Sequence, residues 1–118
     1  MEFSIQFLTA EHRVIEAALE VLAVDVRSAE AVRRVRDLCA RHFEREEVFL
    51  VLLAERDAVL AAKLRGQHDE ALEIAVRLEE AVTAGEGRDV TYLARRLLAI
   101  VQHNIIEEGR DVFPCLGD

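Results

Sequence analysis

A chain of 118 residues with fifteen Lys and Arg against twenty-three Asp and Glu has a net charge of −8 at pH 7, so phosphate backbones and anionic membranes repel it on balance and neither is an expected partner. The length supplies one hydrophobic core, which predicts a single domain over residues 1–118. A 52% apolar content carries a compact fold, but 5% aromatics, no Trp and one Pro argue against a β-sandwich or an aromatic ligand cage, and the dominance of Ala, Leu, Val, Glu and Arg is helix composition.

Helical periodicity predicts a first helix over residues 4–24, with Ile5, Leu8, Ile15, Leu19 and Leu22 as its apolar stripe. A break near Val24 to Ser28, with Ser28 placed as a cap, leads to a second helix over 28–54 that carries Val35, Leu38, Phe49 and Leu53. A second break around Glu55 to Asp57 opens a third helix over 57–84, lined by Leu64, Ala71, Ala75, Leu78 and Val82. Gly85 and Gly87 mark the third break, with Asp89 as the next cap, and a fourth helix over 89–112 carries Leu93, Leu97 and Ile100 before Pro114 and Gly117 stop it. Short loops between long amphipathic helices make neighbours antiparallel, so the predicted fold is all-α, an up-down-up-down four-helix bundle.

Each helix contributes one of the four histidines, in or beside its stripe. At 100° per residue His12 lies about 20° from Ile5, His42 about 20° from Val35, His68 about 20° from Ala75 and His103 about 60° from Ile100. The two halves of the chain also resemble each other: EHRVIEAALEVL (11–22) answers QHDEALEIAVRL (67–78), and HFEREE (42–47) answers HNIIEE (103–108). The bundle therefore reads as two helical hairpins related by an internal pseudo-twofold axis.

Glutamate follows histidine one turn later on the same face at His12/Glu16, His42/Glu46 and His103/Glu107, whereas His68 has Leu72. One such pair is ordinarily a packed histidine or a surface ion pair. Four imidazoles and two or three carboxylates in one small core would cost several kcal/mol for each unpaired charge, and a cation removes that cost. Two divalent ions with Glu46, one carboxylate from the fourth helix, a bridging hydroxide and neutral imidazoles make a nearly neutral centre. Imidazole with carboxylate suits iron, manganese or zinc, and carboxylates shared between ions point to a dinuclear iron centre. The ExxH motif of ferritin-like bundles is absent, since Thr9, Cys39, Arg65 and Ile100 stand three residues before the histidines.

The order His first, Glu one turn later resembles the hemerythrin HHE cation-binding family, over nearly the whole chain: EHRVIE around His12, HFEREE from His42, QHDE around His68 and HNIIEEGRDVFP from His103 to Pro114. The resemblance implies His12, His42, His68 and His103 as terminal iron ligands and Glu46 as a bridging carboxylate, in a non-haem pair of irons with an oxo or hydroxo bridge. Pro114 lies eleven residues past His103, where many family sequences have ten, so the second bridge is Glu107, favoured by the repeat, or its rival Glu108. Leu72 stands where oxygen-carrying hemerythrins have another histidine. Glu16 fills that gap as a further ligand or accepts from a ligand imidazole; otherwise both irons keep an open position.

The function expected is binding of O2, or of peroxide or NO, for storage, sensing or redox work. The alternatives are an enzyme that consumes peroxide or NO, and an iron buffer. Cys39 and Cys115 form no CxxC pair, and Cys39 reads as a small core residue more readily than as a redox thiol. The start, MEFSIQFLTAEHR, lacks a basic segment ahead of an apolar one, and the expectation is a soluble cytoplasmic protein without a membrane span.

Overall fold

The computed structural model describes residues 4–85 and 87–116. Its helices are α1 (Ile5–Val24), α2 (Ala29–Arg56), α3 (Ala58–Ala84) and α4 (Gly87–Glu107); a π-helical turn, Glu108–Val112, then runs into the short α5 (Phe113–Leu116). No strand occurs among the described residues. Each long helix packs on the next and α1 closes against α4, giving the four-helix bundle, 46 × 25 × 20 Å. The 28 residues of α2 account for its long dimension at about 1.5 Å each.

Local chemistry sets the helix ends. Ser4 and Ser28 accept from the backbone N–H groups of Phe7 and Ala31 at 3.0 and 3.1 Å, satisfying donors that the first turn leaves open. Asp57 alone joins α2 to α3: its N–H donates back to Leu53 at 2.7 Å and its carboxylate caps Leu60 at 3.0 Å. Gly85 closes α3 at φ 74°, a left-handed conformation that a side chain would resist. Two expectations shift. Asp89 lies inside the first turn of α4 and does not cap it, although its charge still suits a helix N-terminus. Pro114 sits at the second position of α5 and does not end the helical path there; having no N–H to return to the preceding turn, it accompanies the looser π geometry. Gly117, the other expected stop, lies outside the described residues.

The core consists of two apolar parts. One contains Leu8, Phe49, Leu50, Leu64, Val112 and Phe113; the other holds Ile15, Leu19, Val35, Leu78, Leu97 and Val101 among others. Burying each large aliphatic chain contributes about 2 kcal/mol. Between the two, every helix turns one or more polar side chains inward: His12 lies between Leu8 and Ile15, His42 and Glu46 between Cys39 and Phe49, His68 between Leu64 and Ala71, and Glu108 between Ile105 and Val112. Ile5, Leu38, Val82 and Ile100, expected in the stripes, are only partly buried and flank the core.

Candidate metal centre

Three imidazoles and two carboxylates meet in that polar layer. His12 Nε2 donates to Glu108 Oε1 and His68 Nε2 to Glu108 Oε2, each at 2.9 Å, so the two oxygens of one carboxylate face histidines from different helices. His42 Nε2 lies 2.9 Å from Glu46 Oε1 and 3.6 Å from Glu108 Oε1, and His68 Nε2 lies 3.6 Å from Glu46 Oε1. One ligand atom each from His12, His42, Glu46 and Glu108 falls within 4.8 Å of the others. All five residues are buried. Despite their proximity, His42 Nε2 and Glu46 Oε1 are misaligned, and neither has a hydrogen-bond partner. A buried pair of this kind requires a physical explanation, and a cation shared between nitrogen and oxygen donors provides one.

The electrostatics point the same way. Burial opposes protonation of His42, yet the facing carboxylates of Glu108 and Glu46 outweigh it and hold its pKa at about 10. Burial pushes the Glu46 carboxyl above its ordinary value; His42 offsets this in part, and the charge of Glu108 reinforces it. Burial also opposes ionisation of Glu108, but the imidazoles of His12, His42 and His68 prevail and hold its carboxyl well below the usual carboxylate range. Without metal, the layer thus keeps protons where a cation would otherwise supply the positive charge. The donor set, imidazole nitrogen with carboxylate oxygen, fits iron, manganese or zinc.

The layer contains His12, His42, Glu46, His68 and Glu108 of the residues singled out in the sequence; it does not contain His103, Glu107 or Glu16. His103 is 62% exposed and sits 3.5 Å from Glu107, outside the group. Glu107 turns toward α3, where it accepts from Lys63 Nζ at 2.8 Å and Gln67 Nε2 at 2.9 Å. Lys63 and Gln67 hold its carboxyl below the ordinary value. Glu16 is 39% exposed and pairs with Arg13 on its own helix. The reason for the α4 outcome lies in its buried face: Val90, Leu93, Leu97 and Val101 line it, and at 100° per residue His103 stands roughly 80° to 160° from them. Ile100, the reference from which His103 looked close, is at the edge of that face. The inward neighbour of His103 is Asn104, whose Nδ2 donates to Gln67 Oε1 at 2.9 Å. The internal repeat therefore ends at this point, since His42 and Glu46 both face the polar layer while His103 faces outward and the buried Glu107 turns toward α3.

Several residues not singled out from the sequence also shape the site. Glu11 Oε1 accepts from His42 Nδ1 at 2.9 Å, and Arg45 Nε donates to Glu11 Oε2 at 2.8 Å. Glu11 stands about 60° from Leu8 on α1, at the edge of the apolar stripe and next to His12, and that edge position is the signal the sequence offered for it. Phe43 stacks on His68 with ring centroids 3.8 Å apart, and Phe113 on His12 at 5.2 Å. Phe113 follows directly on the π-helical turn Glu108–Val112. A groove of about 780 Å³ between α1 and the C-terminal segment reaches His12, lined by Thr9, Glu16, Gly109 and Phe113 among others. A second groove, between α2 and α3, reaches His68 beside Phe43 and Leu72.

No helix among the described residues is long and apolar enough to cross a membrane. No curated protein and no solved structure matches the chain. The family model of the hemerythrin HHE cation binding domain matches residues 4–116. With a buried His/Glu group able to hold a metal and a family match over nearly its full length, the chain belongs to the hemerythrin HHE cation-binding family.

Proposed function

We propose that the protein is a non-haem iron protein that binds O2 or a related small ligand, such as peroxide or NO, at the layer formed by His12, His42, His68, Glu46 and Glu108. The observation that carries this reading is the buried ring of three imidazoles and two carboxylates, within which His42 Nε2 and Glu46 Oε1 stand 2.9 Å apart and neither makes an aligned hydrogen bond. In this reading the histidines are terminal ligands. Glu108, whose two oxygens face different histidines, and Glu46 would be the carboxylate donors to a pair of irons. Ferrous iron supplies electrons to O2-type ligands. Five side chains do not complete two coordination spheres, so positions remain for solvent-derived or exogenous ligands. The groove beside His12 offers such a ligand a path, while Phe113 and Phe43 cover the rings and keep bulk water away.

A single ion is the second reading, favoured by the four ligand atoms within 4.8 Å of one another and by the outward position of His103. Elemental analysis of protein expressed in iron-replete medium separates the two readings: two irons per chain support the dinuclear centre, one the single ion, and less than half an ion of any metal overturns both. An absorption spectrum that changes with air and azide and reverses on deoxygenation supports ligand binding. Rapid peroxide loss with evolution of O2 supports the enzymatic alternative. Iron that loads and leaves without any response to these ligands supports an iron buffer.

A further inference from the structure

We infer that Glu11, anchored by Arg45, is a positioning residue that fixes the ring of His42 and reserves its Nε2 for a metal ion; the inference rests on the reading of the polar layer as a metal centre. An imidazole binds metal through one nitrogen, and the hydrogen bond at the other nitrogen decides which one. His42 presents Nε2 to Glu46 and Glu108 on the inner side, while Nδ1 on the opposite side donates to Glu11 Oε1 at 2.9 Å. Glu11 cannot turn away freely, because its other oxygen accepts from Arg45 Nε at 2.8 Å and from the Arg45 Nη2. The guanidinium of Arg45 in turn lies over the Phe7 ring, 5.7 Å from its centroid.

The chain order makes this arrangement compact. Consecutive residues on α1 serve opposite sides of one site: His12 reaches the inner carboxylate Glu108, and Glu11 reaches the outer nitrogen of His42. On α2, one turn carries His42, Arg45 and Glu46, so the helix that presents the imidazole also carries the cation that holds its acceptor in place. A carboxylate in this position keeps the proton on Nδ1 when Nε2 is bound to metal and makes the ring a better electron donor. Burial of His42 strengthens the effect, because no water competes for Nδ1.

The test uses the full chain titrated with Zn²⁺ against a chromogenic chelator, together with nitrogen-15 NMR of the histidine rings in the zinc-loaded protein. Glu11→Ala is expected to weaken Zn²⁺ binding by about 10- to 100-fold, Glu11→Gln to recover part of that loss, and Arg45→Met to give a smaller loss than Glu11→Ala. The wild-type His42 ring is expected to show a protonated Nδ1 and a metal-bound Nε2, a pattern that becomes mixed in Glu11→Ala. Unchanged affinity and an unchanged His42 pattern in Glu11→Ala, even if its melting temperature falls, overturn the positioning role and leave the metal centre standing. A wild-type chain that binds neither Zn²⁺ nor Fe²⁺ overturns the metal reading itself, and this inference with it.

Discussion

Glu107 and Glu108 are consecutive residues with opposite surroundings: Glu108 receives His12 and His68 at 2.9 Å each inside the core, whereas Glu107 receives Lys63 at 2.8 Å and Gln67 at 2.9 Å on the α3 side. One helical step of about 100° separates a candidate metal bridge from a peripheral ion pair. Glu108→Gln is therefore expected to lower metal affinity by roughly 100-fold or more, and Glu107→Gln to leave metal content unchanged. Iron per chain, measured by elemental analysis of both variants, checks this.

His103→Ala is expected to leave both metal content and stability nearly untouched, with a stability change within about 0.5 kcal/mol, because the side chain is 62% exposed and lies 3.5 Å from Glu107, outside the polar layer. His42→Ala, at the centre of the layer, is expected to abolish metal binding. Parallel metal analysis and thermal melts distinguish the two.

The pH dependence of the metal-free chain is set by the same layer. The folded pKa of His42, about 10, lies above its ordinary 6.5, so its stabilising contribution is complete below 6.5 and is lost as pH rises through about 10. Glu46, also shifted upward, loses its contribution in the same direction above 4.5. Glu108 acts oppositely: its contribution is present above 4.5 and disappears as pH falls through its depressed folded value. Stability is expected to peak near pH 4.5, to decline above it as Glu46 loses its contribution, and to fall more steeply from pH 6.5 toward pH 10 as His42 adds to the loss. Metal uptake expels the proton from His42, so affinity rises by up to about tenfold per pH unit for each proton released. Melting curves of apo protein and chelator competition across this range should show opposite slopes.

Phe113 is buried against His12 at the end of the groove. Phe113→Ala is expected to destabilise the fold by about 3–5 kcal/mol and to speed the loss of a loaded metal to an external chelator, because the truncated side chain no longer covers the His12 ring. Denaturant unfolding and the rate of chelator extraction measure the two effects separately.

Cys39 is buried, and that burial, with the charges of Glu108 and Glu46 adding to it, pushes its thiol up to about 12. In a Cys115→Ser background the folded protein is expected to resist a thiol reagent at pH 8 and to react promptly once unfolded. Rapid labelling of the folded chain would contradict the core placement and revive a redox role.

The all-α architecture, the four helices to within a few residues and the inward placement of His12, His42, Glu46 and His68 were legible in the amino-acid order, because each of those signals is local. A 3.6-residue period, a capping serine and a histidine in an apolar stripe are all properties of one helix taken alone. Packing between the helices settled the rest. It turned Glu108 inward and His103 outward, since α4 seats on the bundle through Val90, Leu93, Leu97 and Val101, and that seating sets the rotation of everything beyond it. It also brought Glu11 to His42 and Phe113 to His12, contacts between helices that no spacing along the chain encodes. Which face of a helix is buried depends on what its neighbours offer in packing, and a few tens of degrees of rotation are enough to exchange one adjacent glutamate for the other.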